Sequence, residues 1–187
     1  NRLPNPNALN LYTLGYNASK KLMNLNLAVK ENLKTYLSQY RLMTDAVNIK
    51  DAYIINIGMK VNFIARSGYN KDEVSLRIIE RAKQFFNIDR WQINQPIIIQ
   101  ELAYELSIVE GVGAIVPPTQ DNPKNLSVLI TNKYSSVGGY SGNIYDINYA
   151  TKDGIVYPSL DPSIFELKYP NTDIEARAIG DSVGNQL

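Results

Sequence analysis

The chain contains no cysteine and no histidine. The first absence excludes disulfides, thiolate nucleophiles and cysteine-ligated zinc or iron–sulfur sites, and it leaves the redox compartment unmarked. The second removes the commonest general base at neutral pH, the imidazole metal ligand and the Ser-His-Asp and Cys-His arrangements. Any catalysis would have to run on carboxylates, lysine or tyrosine. Long apolar runs are also missing: Asn, Lys or Glu interrupts every candidate well before the about 18 apolar residues of a membrane span. Charge of one sign is scarce too, with 19 basic residues against 18 acidic ones and a net charge of +1. No field therefore draws the chain towards nucleic acid or anionic lipid. The expectation is a protein with no cofactor, no metal site, no nucleic-acid partner and no membrane segment.

What remains is a globular composition, 44% hydrophobic and 20% charged over 187 residues. A chain of that length suits one ordinary domain and buries roughly 70% of the surface its unfolded form exposes. Its opening, Asn1-Arg2-Leu3-Pro4-Asn5-Pro6-Asn7, carries neither an apolar signal core nor a basic leader and does not start with Met, so it reads as a fragment. Residues 1–24, rich in Asn and Pro, suit an extended arm or linker that gains order by lying on something.

Periodicity then predicts an amphipathic helix over residues 25–43, with Leu25, Val29, Leu33, Tyr36, Leu37 and Tyr40 on one face. Burying those six side chains would yield about 10–15 kcal/mol gross, largely offset by ordering the segment. From Asp51 the period becomes two. Tyr53, Ile55, Ile57, Met59, Val61 and Phe63 fall on one side and Asn56, Gly58, Lys60 and Asn62 on the other, a long half-buried strand. Asn70-Lys71-Asp72-Glu73 is a capping sequence for a second helix whose stripe is Val74, Ile78, Ile79, Ala82, Phe85 and Phe86. Asn94-Gln95-Pro96 predicts the start of a third, with Ile98, Leu102, Leu106 and Val109 inward. Gly111 is its left-handed stop, and residues 112–116 and 126–130 read as strands around an exposed, proline-rich excursion at 117–125.

Beyond Lys133 the texture turns to Tyr, Gly, Ser and Asn. Short strands are expected at residues 155–157, 164–169 and 174–179, separated by Pro158, Pro162 and Pro170. The fold class expected is α+β: a small mixed sheet with helices packed on one face, plus extended, loop-rich N- and C-terminal arms. The division expected is an arm at 1–24, an α+β platform at 25–133 and a docking region at 134–187.

Chemical motifs are sparse. Gly138-Gly139 and Gly111-Val112-Gly113 lack the lysine or the spacing of a phosphate cradle. Carboxylate pairs for glycoside hydrolysis could be drawn from Asp146 with Asp153, or Asp161 with Glu166, but acids beside Gly, Pro and Ser are ordinarily turn formers. Tyr12, Tyr16, Tyr134, Tyr140, Tyr145, Tyr149, Tyr157 and Tyr169 could stack on sugars or single-stranded nucleic acid. Without basic interleaving the nucleic-acid version is poor. Tyrosine is equally suited to protein interfaces, where its ring buries area while its hydroxyl keeps a polar partner. The interface candidates are Tyr12, Tyr16, Tyr140, Tyr145, Tyr149, Tyr157, Phe165 and Tyr169. A carbohydrate-binding or adhesin-like module using the tail tyrosines is the alternative.

Three stretches carry a family resemblance. They are Ala28-Val29-Lys30-Glu31-Asn32-Leu33-Lys34-Thr35-Tyr36-Leu37 leading to Thr44-Asp45-Ala46-Val47-Asn48-Ile49; Phe85-Phe86-Asn87-Ile88-Asp89-Arg90-Trp91-Gln92-Ile93-Asn94-Gln95-Pro96; and Asp153-Gly154-Ile155-Val156-Tyr157-Pro158-Ser159-Leu160-Asp161-Pro162-Ser163-Ile164-Phe165-Glu166. Together they resemble the C-terminal region of the T-even-type phage baseplate wedge protein six family. The helix, strand, helix and Val109-Glu110-Gly111-Val112 turn more loosely resemble the baseplate J family of contractile tails. The resemblance, over about residues 20 to 179, implies a non-enzymatic virion component that is assembled in the bacterial host cytoplasm. It implies paired copies that join neighbouring wedges into a ring around the tail hub, with other wedge proteins as partners. It brings no catalytic residues.

Overall fold

The computed structural model describes residues 9–39 and 47–180, and the chain divides between Ile54 and Ile55 into two compact units. In the N-terminal unit β1 (Leu9–Thr13) is followed by β2 (Gly15–Tyr16), β3 (Leu22–Met23), α1 (Leu27–Gln39) and β4 (Val47–Asp51). β2 and β3 form a small hairpin. Its turn is built by Asn17, whose Oδ1 accepts from the Ser19 and Lys21 backbone amides at 2.9 Å. β1 and β4 run parallel, Leu9 opposite Val47 and Leu11 opposite Ile49.

The amphipathic pattern places α1 correctly but misreads its burial. Asn26 Oδ1 accepts from the Val29 amide at 2.8 Å, the bond of an N-cap. Leu33 and Leu37 are half-buried, Lys30 reaches Asp51 at 2.7 Å, and no side chain of the helix is fully buried. Tyr40 lies outside the described residues. A helix over two short strands has too little surface opposite it to cover a stripe three turns long.

The C-terminal unit is organised on β5 (Tyr53–Ala65), followed by α2 (Lys71–Phe85), β6 (Ile97–Ile98), α3 (Ile99–Ser107), β7 (Val112–Val116) and β8 (Leu129–Asn132). The chain continues through α4 (Ile147–Ala150), β9 (Thr151–Lys152), β10 (Ile155–Val156), β11 (Ser163–Glu166), α5 (Pro170–Asp173) and β12 (Ile174–Ala178). The fold is α+β. β12 lies parallel to β5 along Met59 to Phe63, while β7 and β8 are antiparallel to it, against Asn62 to Ala65 and Ile57 to Lys60. Because both overlap the β12 register, β7 and β8 share the opposite edge and act as one strand interrupted by residues 117–128. Asn122 holds that excursion together: its Nδ2 donates to the Pro118 and Leu126 carbonyls and its Oδ1 accepts from the Leu126 amide. β11 also pairs with β5.

The core follows the apolar periods. Ile57, Met59, Val61 and Phe63 of β5 are fully buried with Val74, Ile78 and Ala82 of α2 and Leu102 and Leu106 of α3. α2 packs against β12 and α3, and α3 against β7. Asn70 caps α2 as its sequence predicts, its Oδ1 accepting from the Asp72 and Glu73 amides at 2.9 and 3.2 Å. Gly111, at φ +91°, stops the chain after α3. No helix among the described residues is long and apolar enough to cross a membrane.

Three expectations change. The third helix does not begin at Pro96: Ile97 and Ile98 pair with Val156 and Ile155 of β10, and α3 starts at Ile99. The Ile99 amide donates to the Gly154 carbonyl at 3.0 Å, so a distant hairpin takes the place of a local capping side chain. Asn94 instead turns left-handed, and its amide and Oδ1 pair with the Ser163 carbonyl and amide. Second, residues 134–180 do not stand apart from the platform as an extended arm, since β11 and β12 complete the sheet built on β5. Third, helix α1 belongs with the N-terminal unit and not with a platform starting at residue 25.

Candidate interaction surface

The loop after β8 brings the tail tyrosines onto the sheet. A 3-10 turn at Ser136–Gly138 ends in Gly139, whose φ of +82° and whose approach to Tyr169 both require glycine; a Cβ there would sit 2.6 Å from the Tyr169 hydroxyl. Tyr140 follows. Its hydroxyl donates to Asp173, lying 2.8 and 2.9 Å from the two carboxylate oxygens, and its ring meets Tyr169 edge-on with centroids 5.4 Å apart. The Ser141 amide donates to Asn56 Oδ1 at 2.8 Å, and Asn56 Nδ2 donates to Glu166 Oε1 at 2.8 Å. Asn132 closes the next step, its Oδ1 accepting from the Tyr145 amide and its Nδ2 donating to the Asn56 carbonyl. Lys168 donates to the Gly139 carbonyl.

Polar side chains on the supposedly solvated side of β5 thus hold this loop down, and residues 54–59 are buried at every position. Asn56, Glu166 and Asp173 are buried among them. Burial, with the neighbouring Asp173 carboxylate second, pushes the Tyr140 phenol up to about 12. Burial also pushes Tyr145 up.

The expected interface residues therefore separate. Tyr140 and Tyr169 form one pair. Tyr145 sits 6.0 Å from the Phe165 ring and donates its hydroxyl to the Tyr157 carbonyl, forming a second group. Phe165 is a correction: at 1% exposed on β11, a strand covered on both faces, it fills the core and offers nothing to a partner. Tyr149 on α4 projects outward at 79% exposed, and Tyr157 is also exposed. In the N-terminal unit Tyr16 is exposed and Tyr12 half-buried.

The carboxylate pairs dissolve into structural roles. Asp146 caps α4 by accepting from the Tyr149 amide at 2.9 Å, and Asp153 makes the left-handed turn between β9 and β10. Asp161 is exposed while Glu166 is buried against Asn56. Among the described residues no group of three or more acidic side chains is placed to hold a metal ion.

Two exposed apolar surfaces stand out among the described residues. On α1, Val29 and Tyr36 share one side and are 43% and 56% exposed, while Leu27, on the opposite side, is 73% exposed, and Leu9, Tyr16 and Met23 of the same unit are exposed as well. On the C-terminal unit, an open groove of about 460 Å³ runs between α2 and the end of α3, lined by Leu76 and Ile108 with Arg77, Glu80 and Arg81. Tyr104 is exposed on α3, and Arg81 is paired with Glu105. The sequence signal for this groove is an apolar residue off the buried stripe: Leu76, two positions from Val74, points away from the core.

Comparison of the sequence with protein-family models and with curated proteins found no match.

Proposed function

We propose that the chain is a structural component of a contractile phage tail baseplate wedge, working through contacts with its own copies and with other wedge proteins, and that it is not an enzyme. The observation that carries the docking part of this reading is α1, a three-turn helix with an apolar stripe and no fully buried side chain. Contiguous exposed apolar surface of this kind marks an interaction site, because leaving it in water forgoes about 25 cal/mol per Å². The baseplate assignment rests on the resemblance of the three stretches within residues 28–49, 85–96 and 153–166.

The expected assembly is a ring around the tail hub in which paired copies join neighbouring wedges. Light scattering on the purified chain over a wide concentration range tests self-association. A species of twice the 21.0 kDa chain mass is expected. A strict monomer would count against pairing through this region. The carbohydrate-binding reading draws on the outward-facing Tyr149 and Tyr157, and specific retention on a glycan array would favour it over the assembly role.

A further inference from the structure

We infer that the cleft between α1 and the free edge of β4 receives an extended segment of a partner protein in which apolar and acidic residues alternate. The inference concerns a different side of α1 from Val29 and Tyr36. It holds whatever assembly the chain belongs to, because it rests on the shape and charge of the cleft.

The cleft, about 300 Å³, is lined on one side by Leu27, Lys30 and Lys34 of α1, which fall three and four residues apart on one helix face. Its other side is the four consecutive residues Val47 to Lys50. Successive side chains of a strand point to opposite faces, so a surface that touches four in a row runs along the edge of the strand and not over one face. β1 occupies one edge of β4 through the parallel register, and among the described residues no other strand pairs with β4. No β1 residue lines the cleft, which therefore borders the edge that β1 leaves free. Unpaired amides and carbonyls along such an edge accept an added strand, and an added strand is an extended segment.

Charge selects which segment. The near-neutral total conceals a segregation: residues 1–54 carry seven basic and three acidic side chains, a net of +4, whereas residues 55–187 carry 12 basic and 15 acidic ones, a net of −3. The bias holds around the cleft, where three lysines stand against Glu31 alone. Lys30 is satisfied by Asp51 at 2.7 Å, but Lys34 and Lys50 are exposed and make no ion pair among the described residues. Such an edge repels a basic strand and gives a neutral one no charge partner, so it discriminates by sign. The rest of the lining is largely apolar, with Leu27, Val47 and Ile49. An extended segment alternates its side chains, so one set can cover these apolar residues while the other brings carboxylates to the lysines. Phosphate-bearing polymers fit less well, because the lining has no arginine for bidentate contacts and no aromatic ring for base stacking.

A short capped peptide alternating Val and Glu, carrying a fluorophore, is the probe, and a Val and Lys peptide of the same length is its control. With the full chain, the acidic peptide should bind and shift the amide resonances of residues 27–34 and 47–50, and the basic peptide should do neither. Lys34→Glu combined with Lys50→Glu should weaken binding at least about tenfold, and more at low salt than at high. Lys152→Glu on β9 should change it less than about twofold. No binding of the acidic peptide up to about 1 mM, or resonance shifts confined to other parts of the chain, would overturn the inference. The resonance measurement uses the unsubstituted chain, so it stands even if the double variant folds poorly. Tighter binding of a single-stranded oligonucleotide or of phosphatidylserine vesicles at the same residues would overturn it in favour of a phosphate-bearing partner. A dimer by light scattering that the two lysine reversals dissolve would overturn it in favour of a second copy of the chain.

Discussion

Replacing Tyr140 by Phe removes one oxygen atom and keeps the ring that packs on Tyr169. That hydroxyl donates to Asp173, a buried carboxylate at the end of α5. A hydrogen bond to a charged group contributes about 1.5–3 kcal/mol, and its loss leaves the carboxylate less well solvated. The expected destabilisation is about 2 kcal/mol, which in a chain of this size lowers Tm by about 4–8 °C. The same contact sets an alkaline signature. Folded Tyr140 holds its proton to about pH 12, against 10.0 for the free side chain. Between those values the unfolded chain binds fewer protons, so wild-type stability falls as pH rises through that window. Tyr140→Phe should be less stable at pH 7 and should lose less stability between pH 10 and pH 12. Urea unfolding at both ends of the range measures this. A variant within about 0.5 kcal/mol of wild type at pH 7, with an unchanged alkaline slope, would refute the Tyr140–Asp173 latch.

Phe63→Ala, on the buried side of β5, should cost about 3–5 kcal/mol in denaturant unfolding, the usual range for a large core aromatic. Gly58→Ala should destabilise by about 1–3 kcal/mol, because its Cβ would meet the Asp173 carbonyl at 3.2 Å as well as the Thr131 and Lys133 side chains. Arg81→Ala should change stability by less than about 1 kcal/mol, since both members of its pair with Glu105 are about a third exposed. A larger loss in thermal melts would mean that Arg81 packs against α3 more than it pairs.

The parts of the fold legible in the sequence are those where local signals and tertiary packing agree. Helix α2 has a capping Asn, two acids in its first turn and an apolar stripe, and the structure uses all three. Ile55, Ile57, Met59, Val61 and Phe63 of β5 went to the core as their period required, while Tyr53 at its start is exposed. The even-numbered side did not stay wet, because the loop at 139–145 lies on it, and that contact links residues about 85 positions apart. No local pattern encodes it. Asn56 reads as a surface residue of an amphipathic strand until Ser141 and Glu166 arrive to satisfy its amide. The start of α3 failed for the same reason, since Ile97 and Ile98 are claimed by β10 before the helix can use them.

The candidate interface residues fared differently once placed in the fold. Tyrosine enrichment pointed to the tail, yet Tyr140 and Tyr145 spend their hydroxyls inside the fold and Phe165 is core. Val29 and Tyr36 show the opposite error: the periodicity that marks a helix face cannot say whether that face meets its own chain or another.

The assembly role is tested most directly on intact particles. An antibody raised against the chain and labelled with gold should decorate the distal end of the tail in electron micrographs of purified phage from the host that expresses it. Particles that carry no label after partial disassembly of the tail, and no peptide of the chain by mass spectrometry, would contradict a place in the baseplate.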